Sequence, residues 1–147
     1  MSINEGENMR VKSTFSVAKW DEKPVADWPD KSQPVNQLFA IYRCDGDIAG
    51  DFVVAGTMFY SVYDTVDAHN SVADYRSFMK FDGSINGQTG SFVLSDSGHY
   101  ENFLPNSKLE IVAGSGTGDF SGAAGGGKYY AEGSEMIIEL ELTKGEK

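Results

Sequence analysis

The chain is poor in cysteine. Cys44 stands alone among 147 residues, so no disulfide can form within the chain. A lone thiol with only two histidines in the chain and no catalytic signature around it reads as a buried, inert side chain. Positive charge is also scarce. There are 12 Lys and Arg against 22 Asp and Glu, a net charge of -10. Such a surface repels phosphate backbones, and no basic cluster interrupts it, which excludes nucleic acid and disfavours anionic membranes as partners. No segment approaches the roughly 20 apolar residues that span a bilayer. The start, "MSINEGENMR", has neither the basic opening nor the apolar run of a signal peptide, so the expected compartment is the cytoplasm. Helical stripes of useful length are missing too.

What the chain does have is glycine and aromatics: 17 Gly, nine Phe, seven Tyr and two Trp. Alternating apolar and polar stretches recur, broken by Gly, Asn, Asp and Ser. That pattern reads as all-β. Strands are expected over 11–20, 36–43, 47–62, 74–83, 90–100, 107–113, 126–131 and 135–142. Eight strands on short turns suit a closed antiparallel barrel or a sandwich, in a single domain over 1–147. Residues 1–9 and 143–147 read as frayed tails. "NGQTG" (Asn86 to Gly90) and "AEGSE" (Ala131 to Glu135) are hairpin signals. Two connections are longer. Residues 21–34 carry three prolines, which exclude a central strand there, and residues 64–73 have room for a helical turn.

The two-residue period assigns faces. Met136, Ile138, Leu140 and Leu142 look inward against Glu135, Glu139 and Glu141. Leu109 and Ile111 oppose Lys108 and Glu110, and Tyr75, Met79 and Phe81 oppose Arg76 and Lys80. Val11, Phe15 and Val17 look inward on the first strand. Strands 36–43 and 52–62 break the rule, with apolar residues on both faces: Phe39 and Ile41 oppose Leu38, Ala40 and Tyr42, and Val53, Ala55 and Phe59 oppose Phe52, Val54, Met58 and Tyr60. An apolar outer face implies a cover, so a homo-oligomer through 36–43 and 52–62 is expected.

"GAAGGGKYY" (Gly122 to Tyr130) nearly spells a phosphate-binding loop. It lacks the Ser or Thr after Lys128, where Tyr129 stands, and "KYYAEGSE" is too short and too β-prone for the helix such a loop needs. It reads as a barrel corner entering a strand, and no cofactor is expected. No metal is expected either. His99 and Glu101 offer two ligands on one strand with no third in reach.

The polar candidates follow from the same period. If Phe92 and Leu94 face inward, so do Asp96, Gly98 and Tyr100, while His99 and Glu101 face out. Asp96 and His99 therefore form no dyad. A buried Asp96 would have a raised pKa and suit acid–base work, whereas the plainer reading is a hydrated carboxylate near a barrel mouth. Tyr60, Tyr75 and Tyr100 are placed near it as ligand contacts. His69 sits in a loop, exposed. Trp20 and Trp28 flank the proline-rich segment; both suit a gate, core packing suits Trp20, and loop anchoring or an interface suits Trp28.

"GSGTGDFSGAAGGG" (Gly114 to Gly127) resembles the G-T-G-x-F-x-G-A-x-G signature of the allene oxide cyclase and dirigent barrels. "FSVAKWDEKP", "DGDIAGD" and "GQTGSFVLSDSG" resemble an uncharacterised bacterial family with an allene oxide cyclase-like barrel, in matching order over nearly the whole chain. The resemblance implies an eight-stranded antiparallel barrel, usually oligomeric, with a small apolar cavity and no assigned activity. Where that family often has Gln-His this chain has Ser95-Asp96, and where it often has a Glu this chain has Met79. Those departures weigh against carrying over a catalytic role. Three readings stay open: a barrel holding a small apolar or amphipathic ligand, in the manner of a lipocalin-like cavity; a cyclase or isomerase on a lipid-like substrate; and a filled scaffold that acts through its surface.

Overall fold

The structure is a computed structural model that describes residues 8–144. Nine strands follow one another: β1 (Asn8–Pro24), β2 (Val35–Asp45), β3 (Ile48–Val62), β4 (Val72–Ile85), β5 (Gln88–Glu101), β6 (Leu104–Ile111), β7 (Thr117–Gly118), β8 (Ala123–Glu132) and β9 (Glu135–Lys144). Eight of them form a ring in the order β1-β2-β3-β4-β5-β6-β8-β9, which closes through β9 on β1. Every pairing is antiparallel. The molecule is therefore a closed eight-stranded antiparallel barrel, and closure removes the free edges a sheet would expose. The two-residue β7 lies outside the ring and pairs with the start of β5.

All eight expected strands are present, most of them longer than their apolar cores suggest. The expected turn at Asn86-Gly87 is a two-residue hairpin with both residues at positive φ, 48° and 85°. Gly133-Ser134 makes the turn between β8 and β9, and the segment 64–73 holds a short 3-10 turn, Ala68–Asn70, capped by Asp67. Asn8 and Met9, placed in a frayed tail by composition, pair with Thr143 and Leu142. Residues 1–7 and 145–147 of the expected tails lie outside the described residues.

β1 differs most from expectation. It runs on to Pro24, past the predicted end at 20, and its register against β2 shifts between Val17 and Lys19. The extra residue, Ala18, is a bulge, and it reverses which parity faces inward. Before it Val17 pairs with the inward Tyr42; after it Trp20 pairs with the inward Ala40, and Glu22 with the inward Leu38. Pro24 is tolerated as the last residue of the strand.

The interior has two halves. At the end carrying the β2–β3 and β4–β5 hairpins it is packed solid. Phe52, Phe81, Phe92 and Phe120 are fully buried there with Ile48 and Ile85. Ring centroids stand 4.7 Å apart for Phe52 and Phe81, 5.2 Å for Phe81 and Phe92, and 5.2 Å for Phe92 and Phe120. Burying each such side chain contributes about 1.5–3 kcal/mol. Phe120 reaches this plug from the glycine-rich corner between β7 and β8. The corner turns tightly enough that a Cβ on Gly116 would lie 1.9 Å from the Phe120 carbonyl oxygen.

On the outside, Phe39, Ala55 and Phe78 line up across β2, β3 and β4, with Ile41 and Val53 in the next row. Phe78 is 61% exposed. The two strands with apolar residues on both faces thus leave a bare patch, which β4 extends. Among the described residues no helix is long and apolar enough to cross a membrane.

Candidate functional site

The other half of the barrel is open. A cavity of about 510 Å³ enters at the end that carries the β5–β6 and β8–β9 hairpins. Val17 and Trp20, on either side of the bulge, line it. An inward position is expected for Val17, and a gate or core packing for Trp20. Trp20 is 47% exposed: the parity reversal turns its ring inward, and its position along β1 places it in the open half.

Asp96 stands in the cavity wall, 2% exposed. The inward face of β5 carries it, as the alternation requires, directly across from Ser77 on β4. Ser77 Oγ donates to Asp96 Oδ2 at 2.9 Å, and the Tyr129 hydroxyl donates to the same oxygen at 3.2 Å. Oδ1 is buried without a hydrogen-bond partner. Burial pushes the Asp96 carboxyl up to about 6, while the hydroxyls of Ser77, Ser107 and Tyr129 and the charge of Arg76 pull it back. Burial also raises Tyr75, Tyr42 and Tyr129, so these phenols are neutral donors at ordinary pH.

One further row of inward residues circles the barrel beside Asp96. Tyr75 pairs with Gly98, Gly98 with Ser107, and Ser107 with Tyr129. Tyr75 lies over the bare Gly98 and hydrogen-bonds Ser107 Oγ with its hydroxyl. A Cβ on Gly98 would come within 2.2 Å of Tyr75 Cζ. Tyr100 is half-buried in the wall nearer the mouth, with Phe103 edge-on to it at 6.2 Å.

Tyr60 belongs elsewhere. It is buried, but its hydroxyl donates to Glu22 Oε2 at 2.6 Å rather than reaching Asp96, and it is not part of the cavity wall. Asn36 Nδ2 donates to the same Glu22 oxygen at 2.7 Å. This second polar cluster depends on the Ala18 bulge, which no composition signal reveals. Ser77, Ser107, Tyr42 and Tyr129 were also passed over. Parity marks three of them, since Ser77, Ser107 and Tyr42 alternate with the inward Met79, Leu109 and Ala40, whereas Tyr129 follows a run of glycines that marks no face.

The histidines and the thiol lie outside the cavity wall. His99 faces out, bound to Asp74 at 2.9 Å and Glu101 at 3.0 Å, and those bonds raise its pKa. His69 is exposed on the 3-10 turn, beside Asp67. Cys44 is buried, and burial pushes its thiol up to about 11. Lys128 and Tyr129 of the near-phosphate loop are ordinary strand residues of β8. Among the described residues no group of three His, Cys, Asp or Glu side chains stands together to hold a metal.

Residues 11–142 match the family described as protein of unknown function, DUF3224. The chain belongs to that family. A solved structure of a DUF3224 protein of unknown function from Shewanella oneidensis MR-1 is similar over 95% of this chain and 100% of that one, with a TM-score of 0.73 at 20% identity. At that identity the likeness speaks to the fold alone. No curated protein matches the chain. For this DUF3224 member, then, function has to be argued from the site.

Proposed function

We propose that this DUF3224 protein is a binding module that holds a small apolar or amphipathic ligand in the open half of its barrel. One observation carries the reading: about 510 Å³ stays empty where eight-stranded barrels can equally fill with side chains. That volume falls within the roughly 300–1,000 Å³ typical of small-molecule pockets. The lining supports it as well. It is mostly apolar and aromatic, with few polar groups to orient a guest, chiefly Asp96 and the hydroxyls around it. The contacts proposed are Tyr75, Asp96 and Tyr100, joined by Tyr42 and Tyr129. Native mass spectrometry of gently purified protein tests the reading. A bound small molecule lost on denaturation supports it. A bare chain that also fails to take up any apolar probe refutes it.

A cyclase or isomerase activity is the second reading, favoured by a buried carboxyl whose proton affinity lies near neutrality. Turnover that survives Asp96→Asn would remove it. The filled-scaffold reading has the cavity against it. We further propose that copies of the chain associate through the outer faces of strands 36–43 and 52–62, because Phe39, Val53 and Phe59 lie bare there, with Phe78 bare beside them on β4. The setting proposed is the cytoplasm.

A further inference from the structure

The cavity carries charge of one sign. Asp96 stands in its wall and Glu135 borders it, while among the described residues no Lys, Arg or His lines it. Much of the remaining wall is aromatic: Phe15, Trp20, Tyr42, Tyr75, Tyr100 and Tyr129. Aromatic faces are the negative ends of ring quadrupoles, and they attract a cation within about 6 Å of the centroid, most strongly where water is excluded. A carboxylate in a low-dielectric wall adds a negative potential that reaches several ångströms. The charge of Asp96 is only partly answered by local donors, since Oδ1 has none. Arg76, the nearby cation, sits on the outer side of β4 and gives its Nη1 to the Tyr75 carbonyl at 2.8 Å. An anionic guest such as a fatty acid would meet two carboxylates and no counter-charge.

We propose that the ligand is an organic cation, a protonated amine carried on an apolar or aromatic body. This rests on the reading of the barrel as a ligand-binding module. The ammonium end is directed at the Tyr75 and Tyr129 rings, which lie nearly parallel at 18° with centroids 6.5 Å apart, Tyr129 giving its hydroxyl to Asp96. Oδ1 is covered rather than open to the cavity, so the carboxylate acts through its field across a short gap. The apolar body occupies the space toward Trp20 and the mouth. Tyr42, Tyr75 and Tyr129 face the same space and stay neutral, so they neither cancel nor add formal charge.

The test is a matched set of probes with one body and three heads: phenylbutylamine, phenylbutanol and phenylbutyrate, phenyl at the far end. Each is titrated into the full chain near neutral pH by calorimetry, with tryptophan fluorescence as a second readout. The amine should bind about tenfold more tightly than the alcohol, and the carboxylate most weakly. Asp96→Asn should bring amine and alcohol within about threefold of each other. Tyr75→Leu should weaken the amine more than the alcohol, and it stands in should Asp96→Asn fail to fold. Adsorption of amine to the acidic surface would survive both substitutions unchanged, and that outcome overturns the proposal. So does an alcohol or carboxylate that binds as tightly as the amine, although the ligand-binding reading then stands. If none of the three binds, that broader reading falls as well.

Discussion

Tyr75 rests on the bare backbone of Gly98, and a Cβ at that position would stand 2.2 Å from Tyr75 Cζ and 2.4 Å from its hydroxyl oxygen. The contact lets a phenol from β4 cross over β5 and bond Ser107 on β6. Gly98→Ala should therefore displace the ring, break that bond and destabilise the barrel by about 2–3 kcal/mol in urea unfolding. Adding Tyr75→Leu should cost less than the sum of the two single changes. Strict additivity would mean the ring and the glycine are not coupled.

Asp96 makes stability fall as pH rises. Its folded pKa of about 6 lies above the ordinary carboxylate value, so the folded chain holds the proton more tightly than the unfolded one. The resulting stabilisation is complete below about pH 4 and is lost as pH climbs through about 6. Asp96→Asn should gain on the order of 2 kcal/mol over wild type at pH 7, and the gap should close near pH 4. Urea melts of both proteins across that range decide it, because the other carboxylates cancel in the difference. A gap that does not change with pH would contradict the assignment.

Asn102 and Phe103 turn β5 into β6 with both residues at positive φ, 54° and 66°. Phe is a poor occupant of that region, and such strain is typically worth about 1–3 kcal/mol. The ring is half-exposed and lies tilted against His69, which offsets part of the gain. Phe103→Gly should still raise stability by about 1 kcal/mol, read as a higher melting temperature. A lower one would show that the ring contacts outweigh the backbone strain.

The outer apolar patch predicts a change of mass. Sedimentation of wild type at micromolar concentration should show a species larger than one chain. Phe78→Glu, which places a charge at the most exposed ring of the patch, should return it to monomer with the fold intact by circular dichroism. A wild type that sediments only as a monomer ends the proposal.

Cys44 should be silent toward thiol reagents in the folded chain. It is buried and its thiol is held up at about 11, so almost no thiolate is present near neutral pH. Labelling should begin only as urea opens the barrel. Rapid labelling of the native protein would mean that its end of the barrel opens readily.

Alternation made most of this architecture legible. In β9, acids on one face and Ile138, Leu140 and Leu142 on the other leave one choice of inside, and the same logic brought Asp96 inward on β5. The site was legible only in part. Tyr75 and Tyr100 are where parity puts them, but Tyr60 turned to a partner, Glu22, that parity had not brought inside. The cause is Ala18. One inserted residue turns Trp20 and Glu22 from the outer face to the inner, and a bulge leaves no mark in a composition that alternates on both sides of it.

The number of barrel strands, the inward faces of β4, β5, β6 and β9, the hairpin turns and the negative charge were thus determined by the chain itself, through short-range pattern and composition. Closure decided the rest. Which half of the barrel is plugged by Phe120 and which is left open, and that Asp96 Oδ1 has no partner, depend on strands far apart in the sequence meeting around one axis. No local pattern encodes how much room remains once they meet.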